Sequence, residues 1–139
     1  MKHGSLIIEK KEYVLLKRYM NLSGYYSDET LRKSVRKLLG ELETARILDE
    51  SDMPKDIIRF NSTVTIASKD GWCRTFQLVT PTHSDVKKDK ISILTPMGAA
   101  VVGYAEGDSI LWEFPSGEQK LTIEKVEQEN TPLSINMIL

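Results

Sequence analysis

"ISILTPMGAAVVGYAEGDSILWEFPSGEQKLTIEKV", residues 91–126, decides how this chain folds. Ile91–Leu94 is strand-like. Thr95 can then cap a helix, with Pro96 in the first turn, where a missing N–H costs nothing. Met97–Gly103 supplies only about two turns, too few to stand without tertiary packing. Gly107-Asp108 turns the chain into "SILWEF" (109–114), and Pro115-Ser116-Gly117 separates that strand from "EQKLTIEKV" (118–126).

Upstream, "NSTVTIAS" (61–68) and "CRTFQLVT" (73–80) flank Lys69-Asp70-Gly71-Trp72, whose Asp-Gly is a strong hairpin turn signal. The expectation is about five strands in two hairpins, an antiparallel sheet of α+β type with one short helix lying on it. Ala99, Ala100 and Val101 or Val102 would form that helix's inner face, small enough to lie close to the sheet. Trp72 and Trp112 are expected as sheet-face packing rather than ligand stacking.

The first half has a helical period. Leu31, Val35, Leu38, Leu42 and Ala45 recur at heptad-like spacing, a seam that needs a partner helix. Tyr13, Leu16 and Met20 supply one within Glu12–Met20, and "NLSGYYS" (21–27) reverses the chain. Ser27 is the expected N-cap, with Asp28 and Glu29 in the first turn, where the helix dipole favours acids. Met53-Pro54 limits the second helix, which should end near Leu48–Ser51, while Leu6–Ile8 looks extended. The result is an antiparallel helical hairpin, a short coiled coil over 1–52, ahead of a sheet domain over 53–139. Arms of about 11 and 21 residues would reach about 16 and 31 Å.

Composition mostly excludes. Of 139 residues, 28% are charged and 40% hydrophobic, with a net charge of −1, so the whole molecule is no electrostatic magnet for nucleic acid or an anionic membrane. No apolar run is long enough to span a membrane, and no signal-peptide core follows Lys2-His3-Gly4-Ser5. Cys73 is alone, expected as a buried or half-buried structural thiol. His3 and His83 are far apart, His83 in an exposed loop, and no spacing fits a metal site, a catalytic triad or a phosphate loop. The expectation is a cytoplasmic protein without cofactor or metal. The apolar tail, Ile135, Met137, Ile138 and Leu139, should pack back on the domain.

Residues 91–126 resemble the C-terminal domain of the bacterial transcription elongation factors GreA and GreB. The shared features are the strand, a (Ser/Thr/Ala)-Pro-x-(Gly/Ala)-(Ala/Arg)-Ala helix start, a Gly-x-x-x-Gly-Asp turn and a Pro-x-Gly-(Gly/Glu) hairpin. "ELETARILDESDMPKDIIRFNSTVTI" (41–66) is similar to Rnk, the regulator of nucleoside diphosphate kinase, a short-armed branch of the same family. The resemblance implies an FKBP-like head that docks on bacterial RNA polymerase and a helical finger in its secondary channel. It implies that Thr95, Pro96, Met97 and Gly98 face the polymerase at the channel rim. Nothing in the residues shows contact with nucleoside diphosphate kinase.

Gre factors act through acids at the hairpin tip that help hold a metal ion for transcript cleavage. Asp28 and Glu29 are the candidate tip acids here. Adjacent helical residues point about 100° apart, however, and the arms are short, so a non-enzymatic regulator is expected. The alternatives are a transcript-cleavage factor and, on fold analogy alone, a prolyl isomerase. Residues 10–37 carry eight basic and three acidic side chains, a formal +5, whereas 38–56 carry two and six, a formal −4. Arg32, Lys33, Arg36 and Lys37 form a basic face, suited either to solvent or to nucleic acid (the ground for expecting DNA binding) or acidic surface inside the transcription complex. A monomer is expected, since the hairpin pairs its own helices.

Overall fold

The computed structural model describes residues 1–22, 29–114 and 116–129. The expected cap Ser27, the acid Asp28, the turn residue Pro115 and the apolar tail lie outside the described residues. Strand β1 (Ile7–Glu9) leads directly into helix α1 (Lys10–Leu22). Helix α2 (Glu29–Leu42) precedes strand β2 (Arg46–Leu48). Then come β3 (Thr63–Ser68), β4 (Cys73–Val79), β5 (Lys90–Ser92), helix α3 (Pro96–Val101), β6 (Ser109–Phe114) and β7 (Gly117–Glu127).

The five-strand sheet has the order β5-β4-β3-β7-β6. Both expected hairpins form: β3 and β4 pair antiparallel around Gly71, and β6 and β7 around Gly117. Both glycines adopt positive φ, 92° and 126°, which a side chain would strain. The sheet is mixed rather than antiparallel throughout, because β5 runs parallel to β4. Two 3₁₀ turns, Pro81–His83 and Val86–Lys88, carry the chain back, and Asp85 and Lys90 exchange backbone hydrogen bonds of 2.9 Å to set the return.

Helix α2 is shorter than its apolar period implies. Gly40 weakens its last turn, and the amides of Glu43, Thr44 and Ala45 bond to carbonyls only three residues back. The chain then leaves as β2, which pairs parallel to β1 with Ile8 opposite Ile47. Strand pairing with a buried partner outweighs helix continuation here, so Ala45 lies past the helix rather than on its seam.

Val35, Leu38 and Leu42 of α2 are buried, as are Leu15, Leu16 and Met20 of α1. These side chains do not form a core of their own. They join one hydrophobic cluster with Phe76 and Leu78 of β4, Leu121 and Ile123 of β7, and Ala99 and Val101 of α3. The seam on α2 therefore meets α3 and the sheet. β1 and β2 fall within residues 1–52, yet Ile7 and Leu48 pack with Ile57 and Ala105 in a second small cluster. Leu6, Ile7 and Ile8 are almost wholly buried.

A buried ionic clasp ties α1 to the segment entering β3. Glu12, 5% exposed, accepts hydrogen bonds from Arg59 Nε at 2.7 Å and from the Phe60 amide at 2.9 Å. Arg59 also grips the exposed carboxylate of Glu50 with both terminal nitrogens, at 2.6 and 2.9 Å. Burial raises the Glu12 carboxyl above its ordinary value despite the guanidinium beside it, while the Arg59 hydrogen bond lowers that of Glu50. Burial acts against the Arg59 charge, but its two carboxylate partners outweigh it and raise its pKa. Cys73 is exposed rather than buried: it opens β4 on the face opposite Phe76 and Leu78.

Candidate functional site

The stretch Thr95–Gly98 is built as a tight helix start pressed onto β5. Thr95 Oγ1 donates to the Ser92 carbonyl at 2.7 Å and accepts from the Gly98 amide at 3.1 Å, so one hydroxyl closes the strand and caps α3. Pro96 occupies the first turn. A Cβ at Gly98 would lie 2.2 Å from the Ser92 carbonyl oxygen. Of the four residues, Thr95 and Pro96 are half-buried and reach the surface, whereas Met97 and Gly98 are buried. Gly98 is thus explained by backbone approach.

Beside this helix start lies a cleft of about 300 Å³. Pro96 and Met97 form one side, Trp72 and Trp112 another, and Val86 the rim, with Arg74 reaching in from β4. Trp72 packs edge-on to Phe114, ring centroids 5.3 Å apart at 73°. The two tryptophans do pack on the sheet face as expected, and both are only half-buried, so they also wall the cleft. Arg74 is the residue sequence reading passed over. The only signal for it was its place in the core-facing alternation with Phe76 and Leu78.

The basic face is divided by the fold. Arg32 is half-buried and bonds Glu29 at 3.0 Å, one helical turn away, while Lys33, Arg36 and Lys37 are exposed. Lys33 and Lys37 line a groove of about 180 Å³ facing Leu111, Glu113 and Glu118 of the β6–β7 hairpin. Lys37 Nζ sits 5.9 Å from the ring centroid of Tyr104. Tyr104 donates a 2.6 Å hydrogen bond to Glu41, fixing the end of α2 to the turn after α3, and burial followed by that carboxylate raises its phenol well above the ordinary value.

Glu29 opens α2 as an exposed acid, suited to the helix dipole and engaged by Arg32. Its expected companion Asp28 lies outside the described residues. Among the described residues no three His, Cys, Asp or Glu side chains gather as a metal site, and no helix is long and apolar enough to cross a membrane. His83 is exposed, its Nδ1 2.8 Å from Thr80 Oγ1.

A helix pair laid against a curled five-strand sheet is an arrangement already known among transcription factors. The GreA/GreB elongation factor from Nitrosomonas europaea superposes with a TM-score of 0.68 at 28% identity, covering 89% of this chain and 98% of that one. Residues 53–128 match the family model for the C-terminal region of the GreA/GreB transcription elongation factors, and the chain belongs to that family. The regulator of nucleoside diphosphate kinase from Escherichia coli K12 is 37% identical over 81 residues, 58% of this chain and 60% of that protein. Transcription elongation factor GreA from Sphingopyxis alaskensis is 30% identical over 107 residues, 74% of this chain and 68% of that one. The match thus spans only about three fifths of the Escherichia coli relative.

Proposed function

We propose that this chain is an RNA-polymerase-binding transcription regulator of the Rnk and Gre type, acting at the mouth of the secondary channel without stimulating transcript cleavage. Residues 53–139 form an FKBP-like docking head that meets the channel rim through the Thr95–Pro96 corner, and 1–52 the finger. The protein works as a monomer in the cytoplasm, where its polymerase partner resides.

The observation that carries this reading is how α2 is spent. Its 14 residues extend about 21 Å, and Val35, Leu38 and Leu42 are buried against the head. Most of the helix is therefore used for packing, which leaves little to project toward a distant metal centre. The one described tip acid, Glu29, forms an exposed ion pair with Arg32. Cleavage of the two-metal kind needs carboxylates free to share a cation with the polymerase.

The alternative, a cleavage factor, draws on the exposure of Glu29 at the start of α2. The test uses backtracked polymerase complexes with purified protein. Binding that displaces a GreA factor, with no shortening of the transcript, is the expected result. Shortening that vanishes in Asp28→Ala/Glu29→Ala would replace this reading with the alternative.

A further inference from the structure

We infer that the groove between α2 and the β6–β7 hairpin binds a nucleoside monophosphate, its phosphate on Lys33 and Lys37, its base against Trp112 and the N–H edge of that base toward Glu113 and Glu118. This goes beyond the polymerase-docking reading and does not depend on it.

The two walls of the groove carry opposite charge yet stay apart. Lys33 and Lys37 stand one helical turn apart on α2 beside the half-buried Ser34, while Glu113 and Glu118 line the hairpin side. Among the described residues no ion pair joins the walls. Each wall also repels itself: the ammonium groups sit at i,i+4 on one helix, and the carboxylates lie directly opposite each other across two strands. A ligand that brings an anion to the first wall and N–H donors to the second relieves both.

Between the walls lie half-buried Trp112 and Ala100, with exposed Leu111 beside them. An indole offers stacking to a planar ring, and bases stack on aromatic side chains whatever their identity. The groove holds about 180 Å³, less than the about 300–1,000 Å³ of sites that enclose a whole drug-sized ligand. It therefore takes the base, and the phosphate stays at the rim with the exposed lysines. A phosphate monoester is nearly dianionic at neutral pH, which matches two ammonium groups. A carboxylate accepts through both oxygens. Guanine presents adjacent N–H donors on one edge, whereas adenine presents a donor beside an acceptor, so guanosine monophosphate is the preferred ligand.

The test uses the full chain with Trp72→Phe, which leaves Trp112 as its only tryptophan. Equilibrium dialysis measures binding of guanosine monophosphate, and fluorescence corrected against free tryptophan reports whether the base reaches the indole. Saturable binding with matching quenching is expected, with guanosine alone and inorganic phosphate alone each weaker by about tenfold or more. Lys33→Gln should weaken binding by a similar factor. Arg36→Gln, which removes the same charge from α2 outside the groove, should match the parent, and thermal melts verify folding of each variant. No saturable binding overturns the site, as does binding without quenching. Equal loss in Lys33→Gln and Arg36→Gln reduces the effect to general charge attraction and overturns it too. Tighter binding of a short single-stranded RNA than of the mononucleotide reassigns the groove to nucleic acid.

Discussion

Gly98 lies so close to Ser92 that a β-carbon on it would sit 2.2 Å from the Ser92 carbonyl oxygen, with the Ile93 Cα at 3.0 Å. The obstacle is backbone, so it cannot swing aside as a flexible side chain would. Thr95 Oγ1 bonds that same carbonyl, and α3 therefore starts at a fixed distance from β5. Gly98→Ala should force the helix off the strand and destabilise the protein by about 1–3 kcal/mol, the usual range for overpacking. Thr95→Ala, which removes the cap and leaves space, should cost about 1 kcal/mol. Urea unfolding followed by circular dichroism ranks the two, and a Thr95→Ala cost exceeding that of Gly98→Ala would contradict this geometry.

Tyr104 and Glu41 hold the last turn of α2 to the head through one 2.6 Å hydrogen bond. Hydrogen bonds to a charged partner contribute about 1.5–3 kcal/mol, so Tyr104→Phe should lose about that much. The phenol pKa is raised by folding from its ordinary 10.0, meaning that the folded state holds this proton more tightly than the unfolded chain. Stability from this group is therefore complete below pH 10 and declines as pH rises beyond it. The alkaline decline should be shallower in Tyr104→Phe, as read from unfolding midpoints across that range.

The clasp of Arg59 and Glu12 separates a buried ion pair from an exposed one within a single side chain. Arg59→Met strands the Glu12 carboxylate in a buried site and should cost about 3–5 kcal/mol. Glu50→Gln removes only the partner on the exposed side, for about 0–1 kcal/mol. The Glu12 pKa is already raised from 4.5 in the folded protein, and losing the cation raises it further. A raised carboxyl contributes stability that is full below the unfolded value and lost as pH rises through the folded one. Arg59→Met should accordingly regain stability on acidification from neutral pH toward 4.5, more than wild type does.

Much of the sheet could be read from local chemistry. Asp70-Gly71 announces a turn, Thr95-Pro96 a helix start, and the alternation around Phe76 and Leu78 a half-buried strand, because each depends only on residues a few positions apart. The features that were not readable are pairings over long separations. Ile8 opposite Ile47 ends α2 early, and no periodicity in either segment records that choice. Arg59 reaches Glu12 across 47 positions, and Trp72 meets Phe114 of β6 only through the order β5-β4-β3-β7-β6. The candidate site was half visible for the same reason. Its helix start is a contiguous motif, while the cleft beside it is assembled from β4, β6 and the loop before β5. Lys33 and Arg36 looked like parts of one basic face until the fold turned Lys33 toward Glu113 and Glu118.

That division of the basic face bears on the electrostatics of the proposed polymerase binding. Arg36 is exposed and makes no ion pair among the described residues, whereas Lys33 and Lys37 face a groove that already contains two carboxylates. Glu113 and Glu118 lie directly opposite each other on β6 and β7, a like-charge pair that is unfavourable, and the two lysines line the same groove. Reversing Lys37 should therefore disturb the protein's own surface, while reversing Arg36 should act on the partner alone. Arg36→Glu is expected to weaken polymerase binding and reduce its salt dependence without moving the melting temperature. Lys37→Glu should lower the melting temperature as well, since it adds a third negative charge to the groove. Melting curves in low and high salt, run beside binding titrations in the same buffers, distinguish the two. Identical melting for both variants would mean that the groove charges do not couple.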